Sequence, residues 1–412
     1  MFSGTRETLS NLVVETKDGD WGLEVAAAGY VPYFVIRGAD FPAVRHGDVS
    51  TIPLRYLSPG TVMRRTLQAG DILIETAGGS KDRSTGRTLF ITESLLERIG
   101  GPATCASFAR FLRIDNLKAD PRYVYWYLQN MHASGAMWEH QVQHTGVARF
   151  QYTRFAATHE IPLPSRKQQE GISGILSGLD DKIAVNDRIA VTALTLADTL
   201  FEETASGLPF GPDSFGSVAS VYGGGTPSTS EASYWGGSIA WTTPTDVTAL
   251  NAPYLFRTSR TITAAGLASC ASQLYPSGSI FMTSRATIGA FAVPQLPAAV
   301  NQGFIVVVPP REELRWWLFH EMRSQVEEML TLANGSTFLE LSRKNFKTMP
   351  MRISSQEILV RFDSKVAPLH QRAAAAAQES AWLSELRDTL LPKLISGEIR
   401  VQDGEKVVED VT

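Results

Sequence analysis

From residue 161 the chain reads IPLPSRKQQEGISGILSGLDDKIAVNDRIAVTALTLADTLFEE. Ile172, Leu176, Leu179, Ile183, Asn186, Ala190, Ala193, Ala197 and Leu200 follow one another at alternating steps of four and three, a heptad seam sustained over about four repeats. That pattern predicts a helix packing lengthwise on another helix. At 1.5 Å per residue, some thirty residues make a rod of roughly 45 Å, longer than one compact core needs, so the segment is expected to act as a spacer. A second seam runs Leu359, Phe362, Val366, Leu369, Ala373, Ala376, Ser380 and Leu383. The two seams are expected to bury on each other in an antiparallel pair, with alanines at 190, 193 and 197 and at 373 to 377 permitting close approach. Pro368 interrupts the second seam and is expected to kink the helix or delay its start.

The segments before each rod alternate short apolar runs with turn signals. AGDILIET (69–76) reads as a buried strand ending in a glycine turn, and TLFITESLL and CASFARFLRI (105–114) as further strands. PRYVYWYLQNMH reads as an amphipathic helix with Pro121 in its first turn and Asp120 before it. In the second block FGSVASVYGGGTPSTSEASYWGGSIAWTTPTDV (215–247), LYPSGSIFMTSRATIGAFAV and AAVNQGFIVVVP repeat that character, and REELRWWLFHEMRSQVEEML (311–330) reads as a helix. Ile161-Pro162, Gln169-Glu170 and Leu179-Asp180-Asp181-Lys182-Ile183 are echoed by Met349-Pro350, Gln356-Glu357 and Phe362-Asp363-Ser364-Lys365-Val366. GDILIET (70–76) and GSIFMTS (278–284) look like matching strands. A period near 190 residues means duplicated domains. The reading is mixed α/β (α+β): a first block at 1–160, a helical spacer at 161–205, a second block at 206–350, and a helical region with a tail at 351–412.

With 412 residues, 43% hydrophobic and 19% charged, the composition is that of a folded protein of two or three domains. No run of eighteen apolar residues predicts a membrane span, and the start lacks the pattern of a signal peptide. Two distant cysteines, Cys105 and Cys270, suit a reducing cytoplasm. A net charge of −4 argues against a generally basic nucleic-acid coat but is compatible with a local basic groove.

Catalytic motifs are not legible. There is no P-loop; Gly223-Gly224-Gly225 precedes Thr226-Pro227 rather than a lysine and a helix. No glycine-rich cofactor loop with an Asn/Asp-Pro-Pro-aromatic strand end marks an adenine methyltransferase. Glu15-Thr16-Lys17 is the Glu-x-Lys of some nucleases but has no placed upstream aspartate. His140 and His144 have the spacing of a zinc pair without a third ligand, which favours a surface or DNA-facing role. Asp180, Asp181 and Asp187 are expected to form a solvated face of the first rod. Tyr234, Trp235 and Trp241 are expected to prop the core and loops.

Three stretches carry a family resemblance: IPLPSRKQQEGISGILSGLDDKI; GGGTPS and YWGGSIAWTTPTDV followed by TSRATIG and AVNQGF; and LRDTLLPKLISGEIRV (386–401). In that order the chain resembles the specificity subunit of a type I restriction–modification enzyme. Pro368 and the shortened MPMRISSQE depart from that family's proline-rich pattern. The resemblance implies a non-catalytic scaffold in the cytoplasm that binds double-stranded DNA. Each target-recognition domain reads half of a split target, and a long antiparallel helical coiled-coil pair fixes the gap and docks two modification subunits. Those partners would bind S-adenosylmethionine and methylate adenine; two added restriction subunits would use ATP and magnesium to translocate and cut. No cofactor or metal is expected in this chain. Alternatives are a methylation-only or other phage-defence assembly and, from a different class, a coiled-coil adaptor for proteins.

The candidate DNA contacts follow. In the first block Lys81, Arg83 and Arg87 lie in a polar loop between strands, where arginine can pair bidentately with guanine; the bland reading is a solvated loop. Gln141, Gln143, Arg149, Gln151 and Arg154 form a second polar cluster, and glutamine can read adenine. In the second block Thr226, Ser228, Thr243, Arg285, Gln302, Ser336, Arg343 and Lys344 sit on the loops that resemble the family.

Overall fold

The computed structural model describes residues 4–80, 83–144, 147–334 and 339–409. Two compact units emerge: Met1–Val185 with Ser380–Thr412, and Asn186–Glu379. Each takes a part of both long helices, Arg166–Ala205 and Gln356–Ser396. The division therefore differs from the contiguous one expected at 160, 205 and 350. The reason is where the seams bury: each helical segment shares a core with a sheet domain and has none of its own.

In the first unit the central sheet runs Val13–Asp18, Ala109–Ile114, Ile72–Glu75, Thr88–Phe90, all antiparallel. A second sheet orders Leu54–Leu57, Val31–Ile36 and Ala103–Cys105, the last pair parallel. The second unit repeats this plan. Ser220–Tyr222, Phe304–Val308, Ile280–Thr283 and Phe291–Pro294 follow in the same order, with Tyr254–Leu255 added at the edge. Arg260–Ile262, Trp235–Thr242 and Ala298–Val300 form its small sheet, again closing on a parallel pair. Ile72–Glu75 and Ile280–Thr283 occupy equivalent places, as the match of GDILIET with GSIFMTS predicts. Both are buried along their whole length, which is why they read as unbroken apolar runs.

Helix Pro121–Ala133 starts as expected, Asp120 accepting from the Arg122 N–H. Its Trp126 donates to Ser177 Oγ at 3.1 Å, and Asp120 accepts from Ser173 Oγ at 2.6 Å, tying it to the first long helix. Ile172, Leu176, Leu179 and Ile183 are buried in the first unit with Trp126, Leu383, Leu390 and Leu394. Ser380 Oγ donates to the Ile183 carbonyl while Asp180 pairs with Arg387, so the partner number rises as the first falls and the pairing is antiparallel. In the second unit Ala190, Ala193, Ala197 and Phe201 share a core with Leu359, Phe362, Val366 and Ala373. The buried position is Phe201 rather than Leu200, which is half-buried. A straight helix of 3.6 residues per turn drifts off a 3.5-residue repeat, and the last step lengthens to four. Asn186, within the seam, is fully buried and donates to Glu379 Oε2 at 2.8 Å.

Four further expectations are corrected. The second long helix starts at Gln356 and runs through Pro368; Ser364, whose carbonyl loses its i+4 partner, is exposed, so water can take that bond. CASFARFLRI is two strands, Ala103–Cys105 and Ala109–Ile114, separated by a turn. TLFITESLL is a strand only over Thr88–Phe90; Thr92 then accepts from the Leu95 N–H and caps a helix, Glu93–Ile99. Segment 311–330 breaks at Gln325 into helices Arg315–Ser324 and Val326–Thr331.

The acidic residues of the first rod are not one solvated face. Asp180 lies between Arg45 (2.8 and 3.0 Å) and Arg387. Burial would raise its pKa, but the two guanidiniums outweigh burial and hold it below the usual value. Asp187 is buried and accepts from Asn251 at 3.2 Å. Asp181 alone of the three is exposed. In the second unit Asp198 anchors a chain of hydrogen bonds: His320 Nδ1 at 2.7 Å, His320 Nε2 to His370 Nε2 at 2.9 Å, and His370 Nδ1 to Tyr254 Oη at 2.8 Å. A carboxylate only accepts, so His320 Nδ1 donates to Asp198; with both rings neutral, His370 then donates to His320 and Tyr254 to His370. Burial lowers their pKa values, that of His370 to about 2.

Candidate nucleic-acid interface

Polar loops gather around the end of the second unit's central sheet. The GGGTPS loop lies on the residues that follow strand Ala298–Val300. A Cβ on Gly224 would sit 2.2 Å from the carbonyl oxygens of Val300 and Asn301, so only glycine fits. Gly225 N–H donates to the Val300 carbonyl at 3.1 Å, and Thr226 Oγ1 donates to Gln302 Oε1. Arg343 lies against Gly223, whose Cβ would meet the guanidinium at 3.1 Å. On the other side Ser284 N–H donates to Gly303 O and Leu341 N–H to Ser284 O, bringing Arg285 to Glu340 at 2.8 Å. Ala286 has φ +59, a conformation L residues avoid, and such local strain clusters at binding sites.

Thr226, Gln302, Arg285 and Arg343 are thus brought together from four loops, and all are exposed. Lys344 is exposed beside Arg343, and Ser228 further along the glycine loop, hydrogen-bonded to Ser230 at 2.8 Å. Thr243 has a different role. It caps helix Pro244–Thr248, its Oγ1 and N–H both donating to Asp246 at 2.7 and 2.8 Å, and so is committed to the backbone. Ser336 lies outside the described residues. Trp241 Nε1 donates to the Gly225 carbonyl at 3.2 Å and Trp235 Nε1 to the Ser228 carbonyl at 3.0 Å, so both tryptophans prop the glycine loop. Arg260, which sequence reasoning missed, sits 3.6 Å over the Trp235 ring. Its only signal is a cation in the exposed position of a short strand 25 residues downstream, and nothing in the spacing ties it to Trp235.

In the first unit the corresponding loop is partly structural. Arg87 forks onto buried Glu75 at 2.6 and 3.0 Å. A cation saturated by a buried carboxylate is not available to read a base, so the expectation for Arg87 is corrected. Gln141 is likewise engaged, accepting from the Thr85 N–H at 2.9 Å. Arg83 is exposed and donates to the Gly78 carbonyl at 2.9 Å; Lys81 lies outside the described residues. Gln141–His144, Val147–Phe150 and Ala77–Gly79 form a three-stranded sheet. Strand Val147–Phe150 alternates outward Val147 and Arg149 with inward Ala148 and Phe150. Gln143 is on that sheet and exposed, and Arg154 is exposed on helix Tyr152–Thr158. Arg83, Arg149 and Arg154 therefore remain as this unit's outward cations among the candidates.

The residues of the other candidate motifs have structural partners. Glu15 of the Glu-x-Lys tripeptide is paired with Arg113. The His140 ring packs edge-on against Phe155 and His159, at 4.8 and 5.5 Å between centroids. Among the described residues no group of histidine, cysteine and carboxylate side chains is arranged to hold a metal, and no helix is long and apolar enough to cross a membrane.

The glycine loop, its tryptophan props and the second unit's exposed cations lie in residues 214–362, which match the family model described as a type I restriction modification DNA specificity domain. That stretch is of the DNA-specificity-domain class, and its sheet-and-helix topology is repeated in the first unit. The chain is 34% identical over 142 residues to the type I restriction enzyme MjaIX specificity subunit of Methanocaldococcus jannaschii, covering 34% of this chain and 33% of that protein. It is 27% identical over 179 residues to the HindI specificity subunit of Haemophilus influenzae, covering 43% and 39%. The matched stretches thus span little more than a third of these relatives. In fold, the chain superposes on the crystal structure of a type I restriction–modification S subunit from M. genitalium with a TM-score of 0.59, at 15% identity, over 95% of this chain and 96% of that one. Over residues 214–362 the chain thus matches the type I restriction–modification specificity family, and along nearly its whole length it shares the fold of a type I S subunit.

Proposed function

We propose that this chain is the non-catalytic DNA-reading scaffold of a type I restriction–modification complex, each unit reading one half of a split double-stranded target. The observation that carries the reading is the repetition of one topology in both units, with exposed arginines on polar loops in each: Arg83, Arg149 and Arg154 in the first, Arg285 and Arg343 in the second. Arginine forks can specify guanine, and hydroxyl and amide groups can position phosphates. The long helices would set the gap between half-sites and dock two modification subunits. S-adenosylmethionine, ATP and magnesium would belong to the modification subunits and to restriction subunits, where those are present. With a net charge of −4, the chain would leave part of the phosphate neutralisation to its partners. One heptad rises about 10 Å, or roughly three base pairs at 3.4 Å each, so removing paired heptads should change the spacer or abolish binding.

The test is methylome mapping in cells that carry the modification subunits, with and without this gene. The expected result is an adenine-methylated bipartite motif that appears only with the gene. A contiguous motif, or methylation by the purified chain alone, would refute the proposal.

A further inference from the structure

The internal repeat equates Asp180 of the first long helix with Asp363 of the second. In the first unit the recess at Asp180 is small, about 80 Å³, and is walled by strand Thr88–Phe90, helix Pro121–Ala133 and the first long helix. The Arg45 guanidinium forms part of its wall, paired with Asp180 and 5.4 Å from the centre of the Trp126 ring, and Arg387 takes the same carboxylate.

In the second unit the equivalent elements wall a recess of about 420 Å³: Val293 and Pro294 from the strand, Arg315 and Trp316 from the helix, and Asp363 and His370 from the second long helix. The short helix corresponding to Phe41–Arg45 is Pro244–Thr248, which ends in threonine where the first ends in arginine. Glu312 is held by Arg315 at 3.3 Å, and among the described residues no cation lies within salt-bridge distance of Asp363. Burial and neighbouring Glu313 raise the Asp363 pKa, and nearby Arg315, which makes no ion pair with it, offsets them only in part. The recess is lined by the stacked rings of Trp316 and His370, 3.5 Å apart.

We propose that the recess at Asp363 receives an arginine side chain from a partner polypeptide. Its guanidinium takes the place that Arg45 occupies in the first unit. The larger volume accommodates the aliphatic stem as well as the head group, as insertion from outside requires. Planar guanidinium suits a single carboxylate bidentately, which a lysine ammonium cannot match. The inference goes beyond the DNA-reading role and does not depend on it.

The test uses the full chain with ¹⁵N-labelled tryptophan indoles, Trp316 being assigned through Trp316→Phe. Titration with N-acetyl-arginine amide should give a saturable shift of the Trp316 signal. Asp363→Asn should weaken binding about 10- to 100-fold, the range for a hydrogen bond to a charged group. N-acetyl-citrulline amide, nearly isosteric but neutral, should lose a similar factor. Ala367→Leu, which fills the recess and leaves Asp363 in place, should abolish the response. Overturning results are no saturable shift, equal binding of the citrulline compound, unchanged binding by Asp363→Asn, or tighter binding of free zwitterionic arginine, which would make the site one for a small molecule.

Discussion

Replacing Asp180 by asparagine isolates an electrostatic tie between the first unit's sheet domain and the long helices. The carboxylate accepts from Arg45 at 2.8 and 3.0 Å and from Arg387, and the three side chains are 18%, 21% and 10% exposed. At that exposure solvent screens the pairs only partly. Removing one partner of a buried ion pair costs about 3–5 kcal/mol, because the charges left behind stay desolvated. Asparagine keeps one acceptor, so about 3 kcal/mol is expected, at the lower end of that range. For a unit of roughly 200 residues each kcal/mol moves the melting temperature about 2–4 °C, giving a fall of about 6–12 °C. Scanning calorimetry at pH 7 is the assay, with Asp181→Asn, an exposed neighbour, as the control expected within about 0.5 kcal/mol of wild type. A pH series adds a second check. The folded-state pKa of Asp180 is depressed, so its contribution is complete above the unfolded value of about 3.9 and is lost as pH falls through the folded value. The variant should lack that acid-dependent component. A melting temperature for Asp180→Asn indistinguishable from that of Asp181→Asn would refute the reasoning.

His370 has a folded pKa lowered to about 2 against about 6.5 unfolded, so the unfolded state binds the extra proton first: stability should be complete above pH 6.5 and decline as pH falls below it. His320, Asp198, Arg323 and Tyr254 face the same chain; His370→Phe should flatten the dependence between pH 7 and 5, measured by urea unfolding, and a wild type already flat there would contradict the neutral assignment. Arg285→Ala breaks a pair 46% and 44% exposed and should change stability by less than about 0.5 kcal/mol, while in the assembled complex it costs about 1–3 kcal/mol of base discrimination if Arg285 reads a base; unaltered DNA binding would remove Arg285 from the interface. Pro368→Ala restores a helix hydrogen bond and should raise stability by about 2 kcal/mol, less than the roughly 3 kcal/mol of an interior proline because the unfolded chain also gains freedom; calorimetry showing no gain would indicate that the bond is not lost.

The helices, their pairing partners and the repeat were legible because each rests on local periodicity. Seam positions from Ile172 to Ala197 bury as their spacing requires, and Asp120-Pro121 starts a helix for a purely local reason. What the sequence did not disclose depends on partners distant in the chain. Arg87 looks like a loop cation until Glu75 is seen beneath it. Asp180 looks solvated until Arg45 and Arg387 meet it, 135 and 207 residues away. Helix Glu93–Ile99 was hidden in an apolar run short enough to fit a strand, with Thr92 as its only start signal. Of the candidate site, Thr226, Gln302, Arg285 and Arg343 converge because glycines at 223 and 224 let their loops touch, whereas Thr243 shares their composition but serves as a cap.

The central claim, that each unit reads its own half-site, is tested most directly by changing one interface and mapping what the assembled complex methylates. Thr226→Val with Arg343→Ala alters the second unit's loops and leaves the first unit and both helical seams intact. Single-molecule sequencing of DNA from cells expressing this variant with the modification subunits should show relaxed or lost base preference in one half of the motif, with the other half and the spacer unchanged. A motif altered in both halves, or not altered at all, would contradict the account.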